Sequence, residues 1–276
     1  MAPRPDRLSA LMHHFHLQAE VFLAGPVCGQ HRLDSPTAEL HLLRRGRVTL
    51  AHEGAPPVTV DAPAAVFYPR PLAHQLHTDG EADLVCAHVR FGTADDNPLL
   101  RHLPARLVVP LADEPALGAT LQLLFDEATA RRCGHAGVVG RLTEVLLVQL
   151  LRHAIAARLV DAGLLAGLSD ERLARALAAL HADPGHAWTL ERMAAAAGMS
   201  RARFADRFAA TVGLPPGEYL TQWRLGLART LLQRGQPVKQ VAAEVGYGSA
   251  SALARVFRHK QGTTPLRAAS ARPHQA

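Results

Sequence analysis

The chain has 276 residues, 48% of them hydrophobic, and its 30 basic and 24 acidic side chains leave a formal charge of +6. That is enough for two ordinary domains with their own cores; apolar stretches are broken by charge or proline, and no hydrophobic region follows basic residues at the N-terminus, so a soluble, cytoplasmic chain without a membrane partner is expected. The three cysteines, Cys28, Cys86 and Cys133, lack CxxC spacing and are too few for a disulfide scaffold.

Between about residues 18 and 110, short runs of Val, Leu, Phe and Ala are separated by Pro, Gly and Asp, the pattern of an antiparallel barrel or sandwich. Strands are expected at 39–44, 47–52, 65–68 and 83–91, with a turn at Arg45-Gly46 joining the first two. In the last of these, alternation assigns Val85, Ala87, Val89 and Phe91 to the core and sets Leu84, Cys86, His88 and Arg90 on the other face. The period then becomes helical over 116–131 and 138–158. The second helix carries Val138, Leu142, Val145, Leu146 and Leu150 in a stripe wide enough to face both its own barrel and another subunit, so a homodimer is expected beside plain core packing. The chain thus divides into a sensor-like domain at 1–112, a helical dimerisation segment at 113–160, a glycine-containing linker at 161–170 and a last domain at 171–276.

That last domain is written twice. Ser200, Phe204, Phe208, Gly213 and Pro216 return 49 positions later as Ser249, Leu253, Phe257, Gly262 and Pro265. Ahead of them, Leu190, Met193, Ala194, Ala197 and Gly198 return 48 positions later as Val238, Val241, Ala242, Val245 and Gly246. Each unit reads as a short helix, a glycine turn and a second helix opened by a serine N-cap, a helix-turn-helix. The charge follows the repeat: residues 1–165 hold 15 basic and 17 acidic groups, residues 166–276 hold 15 and 7. Concentrated positive charge there points to the phosphate backbone of double-stranded DNA.

The segment Val241-Ala-Ala-Glu-Val-Gly-Tyr-Gly-Ser249, with Leu253, Arg255, Phe257, Gly262 and Pro265 after it, resembles the AraC/XylS family of transcription regulators. Over 40–46, 67–74 and 84–86 the first half resembles the cupin sensor domains fused to one branch of that family. The resemblance implies an α+β multidomain protein: a cupin-like antiparallel β-barrel with flanking dimerisation helices, followed by an all-α tandem helix-turn-helix domain. Implied with it are readers in adjacent major grooves and RNA polymerase as a partner. Carried onto this chain, the reading positions are Arg201, Ala202, Ala205 and Asp206 in the first unit and Ala250, Ser251 and Arg255 in the second. A guanidinium at Arg255 can donate two parallel bonds to guanine O6 and N7, whereas Asp206 at the equivalent place would repel phosphate. Arg203 and Arg207, with Arg201, and Arg258 with Lys260, fit backbone contacts.

Two sensing chemistries are open for the first half. The family branch includes regulators that respond to reactive chlorine or other electrophiles through a cysteine at the position of Cys86. Here Cys86 shares a strand face with His88 and Arg90, cations that would favour the thiolate, and Cys28 is a candidate resolving partner; the alternative is a small buried hydrophobe. In the cupin pattern, Glu39 and His41 point one way and His74 takes the last histidine position. This is either a divalent metal site suited to Zn, Fe or Mn or a polar pocket that has lost its metal, and the pattern establishes no cofactor. The function expected is a sequence-specific regulator sensing a small molecule or oxidant, with no catalytic residues. Its rival is a metal-dependent cupin oxygenase or isomerase carrying a DNA-binding tail.

Overall fold

The computed structural model describes residues 6–14, 17–91, 103–112, 114–265 and 267. They fall into two compact units, one spanning 17–91 and 103–157, the other holding 6–14 and the chain from 158 onward.

The first unit is built on strands β1 (Leu17–Leu33), β2 (Ala38–Arg45), β3 (Arg47–His52), β4 (Ala55–Asp61), β5 (Ala64–Tyr68), β6 (His74–Phe91) and β7 (Leu107–Pro110), all paired antiparallel. β6 organises them. One of its edges pairs with β1 from Leu17↔Phe91 to Leu33↔His74; its other edge pairs with β3 at its start and β2 towards its end. Strand β4 extends the β3 side, and β5 then β7 extend the β2 side, so the two arms curl into a nearly closed barrel. The expected strand 83–91 is the second half of this longer β6. β1 is hard to read in sequence because Gly25, Pro26 and Gly29 look like breaks. In the fold they sit within a bent strand whose register shifts between Val21 and Leu23 and between Val27 and Gly29.

The face assignment for β6 needs correction. Val85, Ala87, Val89 and Phe91 are buried as expected, but Leu84 and Cys86 are buried equally, inside the barrel with Val27, Leu43, Val66, Tyr68 and Leu76. From Ala82 to Ala87 both faces are buried, and helices α2 (Pro115–Ala130) and α3 (His135–Ala156) lie outside against the flanking β1 and β2. The Arg44 guanidinium sits 4.6 Å over the Phe125 ring of α2 and pairs with Asp83 and Asp126.

The second unit contains helices α4 (Leu164–Ser169), α5 (Glu171–Ala182), α6 (Leu190–Ala197), α7 (Arg201–Val212), α8 (Pro216–Gln233), α9 (Val238–Glu244) and α10 (Ala250–Gln261). Helix α4 stands where a linker is expected at 161–170. Its leucines Leu164, Leu165 and Leu168 are buried, and the Gly163 N–H donates to the Thr211 carbonyl at 2.9 Å. The glycines there serve packing rather than flexibility: a Cβ at Gly167 would lie 2.9 Å from Leu177 Cδ1 and Val212 Cγ2. Asp170 then caps α5, accepting from the Arg172 and Leu173 N–H groups at 2.9 and 3.0 Å.

Residues 6–14, expected with the sensor, belong to this unit as well. Helix α1 (Ser9–His14) packs on α5 and buries Leu11 completely. Arg7 Nη1 donates to the Leu168 carbonyl at 2.6 Å, and His14 Nε2 lies 3.1 Å from the His181 carbonyl. His181 is itself buried, stacked on Trp223 at 4.0 Å with Nε2 2.6 Å from Tyr219 Oη. Sequence order cannot show this docking, because the contacts span more than 160 residues.

Both tryptophans, Trp188 and Trp223, lie in the second unit, so tryptophan fluorescence reports its unfolding. Leu11→Ala should cost about 2–5 kcal/mol in that signal, the usual price of emptying a buried leucine site, while hydrogen exchange of the barrel amides stays unchanged. Burial pushes His181 down to about 3, below its ordinary value near 6.5, so its contribution to stability is complete above pH 6.5 and is lost as pH falls towards 3. The fluorescence-detected stability should therefore drop by about 2 kcal/mol between pH 7 and pH 5; His181→Gln should flatten that slope.

Candidate functional site

In the two helix-turn-helix units the repeated hydrophobic positions form the cores: Phe204, Phe208, Leu253 and Phe257 are wholly buried. Helices α6 and α9 are followed by turns in which Gly198 and Gly246 take left-handed φ values of 64° and 79°. A Cβ at Gly246 would stand 2.7 Å from the Gly185 carbonyl oxygen, so no larger residue fits that turn as it stands. The second helices of the two units open differently. Ser249 accepts from the Ala252 N–H at 3.1 Å, whereas Ser200 occupies the N-cap position of α7 without a side-chain bond, so the expected pair of serine caps is realised once.

Of the residues expected to meet DNA, Arg201, Ala202, Arg203, Asp206 and Arg207 are exposed on α7, and Ser251, Arg255, Arg258 and Lys260 on α10; Ala205 and Ala250 are half-buried. Several of these charges are already engaged. Arg201 pairs with Glu191 at 2.8 Å and holds that carboxylate down at about 2, Arg207 pairs with Asp170, and Lys260 reaches Glu218 at 2.8 Å. Among the described residues Arg203, Arg255 and Arg258 make no ion pair, nor does Asp206. Arg255 and Arg258 instead line a concave surface with Ser251, Ala254 and His259.

The barrel unit brings Glu39, His41 and His74 together, all nearly inaccessible. Glu39 and His41 are alternate residues of β2, and the curl of the barrel delivers His74 from the start of β6. His41 Nε2 and His74 Nε2 are 2.8 Å apart, and Glu39 Oε2 lies 3.6 and 3.4 Å from them. These three edges bracket the ~3.3 Å expected between ligand atoms of a tetrahedral ion with bonds of about 2.0–2.1 Å. The polarity fits at His74, whereas His41 Nδ1 has no hydrogen-bond partner among the described residues. His74 Nδ1 lies 2.8 Å from the Leu72 carbonyl, and a donor there leaves the Nε2 lone pair turned inward. Burial pushes His41 down to about 3 and lowers His74, which keeps both rings neutral, as metal binding requires. Glu39 Oε2 has no hydrogen-bond partner among the described residues, an arrangement that is costly unless something else occupies its lone pairs.

Sequence reasoning missed two members of this neighbourhood. The Tyr68 ring stacks on His74 at 4.0 Å, and His88, which pairs across the ladder with Glu39, places Nδ1 3.4 Å from Glu39 Oε1. Only the Glu39↔His88 register, invisible before the strands are aligned, would have found the second.

Cys86 lies directly across from His41 in the ladder, but the expected redox pair is opposed by the geometry. Burial first, and the Glu39 carboxylate second, push the Cys86 thiol well above its ordinary range, the reverse of an activated thiolate. The exposed Cys28 is five residues along β1 from Leu23, the partner of Cys86. That is about 16 Å of strand, where a disulfide needs Cα atoms within about 7 Å.

A family model described as Cupin matches residues 6–156, and one described as Helix-turn-helix domain matches residues 193–270. A putative AraC-like transcription regulator of Streptomyces lividans is 33% identical over 297 residues, covering 96% of this chain and 97% of its own. The chain belongs to the AraC-type transcription regulators. It is a DNA-binding regulator with a cupin domain ahead of its readers, and these relatives do not favour the rival reading as a cupin enzyme. The regulator is also 29% identical, over 86% of its length and 80% of the other chain, to the RCS-specific HTH-type transcriptional activator RclR of Escherichia coli (strain K12). The crystal structure of ToxT from Vibrio cholerae O395 aligns with 91% of this chain and 96% of its own at 11% identity and a TM-score of 0.40. Among the described residues, no helix is long and apolar enough to cross a membrane.

The cysteine environments make a direct prediction. In the native protein iodoacetamide should modify Cys28 and Cys133 and leave Cys86 unmodified until denaturant is added, as read by peptide mass mapping. Labelling of native Cys86 at the rate of Cys28 would contradict its buried, protonated state.

Proposed function

We propose that this regulator receives its signal in the Glu39–His41–His74 pocket of the barrel, with a divalent metal ion held there, and reads DNA chiefly through its second helix-turn-helix. The observation that supports the first part is the buried Glu39 Oε2, left without a hydrogen bond among the described residues and facing two neutral histidines. A bound ion would supply positive charge and a site for an exogenous ligand. The chain's own contribution is a dry wall, a fixed imidazole tautomer at His74 and a carboxylate already desolvated.

For the reader, support comes from the uneven state of its arginines. Arg255 is free to donate to a guanine edge and Arg258 to grip a phosphate beside it. In the first unit Arg201 and Arg207 are tied to carboxylates, which leaves Arg203 for the backbone and Asp206 with only a cytosine amino group to accept from. We further propose a homodimer through α3, where Val138 and Val145 stay 45% and 48% exposed in line with the half-buried Leu142 and Gln149. Contact with RNA polymerase is supported by family membership alone.

An oxidant signal at Cys86 is the second reading, favoured by the name of the RclR relative and opposed by the burial of the thiol. It would require the barrel to open around β6 before reaction.

On footprinted operator DNA, Arg255→Ala should cost about 1–3 kcal/mol for the preferred base at one position and flatten preference there. Arg258→Ala should weaken binding alike on all sequences and reduce the salt-dependence slope by about one. A uniform loss for Arg255→Ala, measured by binding to single-base operator variants, would assign that residue to phosphate.

A further inference from the structure

We infer that His88 is a positioning residue for the metal pocket and its connection to the surface, holding the Glu39 carboxylate so that Oε2 faces His41 and His74. This rests on the proposed reading of that pocket as a metal site. Glu39 is gripped at one end only. Its Oε1 lies 3.4 Å from His88 Nδ1 and is also hydrogen-bonded by Ser35, whose Oγ lies 3.2 Å from the same nitrogen, while Oε2 has no hydrogen-bond partner among the described residues and points at the two buried imidazoles. With Oε1 held, rotation of the carboxylate is restricted and Oε2 stays on the pocket side. Without His88, Ser35 is left as the single contact on Oε1, the carboxylate can turn about it, and the edges of the triad are no longer set.

His88 is in turn locked. Its ring stacks on Phe22 at 4.3 Å with 24° between planes, and Ser35 is held by Thr37, whose N–H donates to Ser35 Oγ at 3.1 Å and whose Oγ1 lies 3.0 Å from it. The pairing Glu39↔His88 across β2 and β6 fixes the approach of the two side chains through the backbone ladder. Unlike the triad, His88 is 31% exposed, and it lines a cleft of about 310 Å³ with Gln18, Glu20 and Arg90 of the strands and Gly140 and Arg141 of α3. No hydrogen bond of His88 Nε2 is found among the described residues. One ring nitrogen therefore serves the buried carboxylate while the ring lines a surface cleft, so this side chain joins the pocket to solvent. Groups that orient a metal ligand through its second atom commonly set affinity by about 10–100-fold.

The test is cobalt(II) binding by the full-length protein, read by its visible ligand-field absorption and by competition with a chelator of known affinity. The wild type should bind one equivalent, and His74→Ala should abolish the band. His88→Ala should weaken binding about tenfold or more with a shifted band, and His88→Gln, whose amide can still donate to Glu39, should recover part of the loss. Ser35→Ala should weaken binding in the same direction and less. If the wild type binds no cobalt, the metal reading falls and this inference with it. If the wild type binds and His88→Ala keeps both affinity and band, the positioning role alone is overturned. Circular dichroism checks the fold of each variant; should His88→Ala not fold, an unchanged affinity in Ser35→Ala overturns the role.

Discussion

The double pairing of β6 is the constraint from which the barrel unit follows. A strand of 18 residues that pairs along one edge with β1 and along the other with β3 and then β2 must bend the sheet around itself. That bend brings His74, from its first residue, against Glu39 and His41 of β2, and it turns Cys86 inward beside them. From Ala82 to Ala87 β6 is buried on both faces, with α2 and α3 lying against the flanking strands β1 and β2. Desolvation then shapes the chemistry: the histidines stay neutral, the thiol stays protonated, and the Glu39 carboxyl is pushed above its ordinary range, with Oε2 unpartnered among the described residues.

In the second unit the cores of the two helix-turn-helix repeats match while their surfaces do not. Phe204 and Phe208 answer Leu253 and Phe257 in burial, and the turn glycines adopt the same hand. The charged positions diverge: Arg201 and Arg207 are paired with carboxylates of their own unit, whereas Arg203, Arg255 and Arg258 make no ion pair among the described residues. Exposed pairs of this kind contribute little to stability, yet they orient a guanidinium and reduce the positive charge it presents. The asymmetry visible as Arg255 against Asp206 is therefore deepened by Glu191 and Asp170, which neutralise two further arginines on α7.

Much of this was legible beforehand. The 49-residue repeat located the readers and their cores because an amphipathic helix must return its apolar residues every three or four positions. Strands 39–44, 47–52 and 65–68 were found to within a residue or so, since the turn at Arg45-Gly46 and the Pro and Asp around it punctuate them. Other features were not legible. Glycine and proline inside β1 mimic a loop when they mark bulges, and two glycines mimic a linker when Gly163 caps α4 at positive φ and Gly167 allows close helix packing. Helix α1 joins the second unit through contacts that no local pattern encodes.

By itself, the sequence determined the class of molecule: a basic tandem helix-turn-helix behind a β-rich, cupin-like half, with Glu39, His41 and His74 as its polar candidates. Those properties reside in periodicity, spacing and charge, which depend on residue identity alone. Only the tertiary structure decided which groups meet, because register and burial are properties of the packed chain. It set His88 on Glu39, removed Cys86 from solvent and from Cys28, and divided arginines of one composition into paired and free.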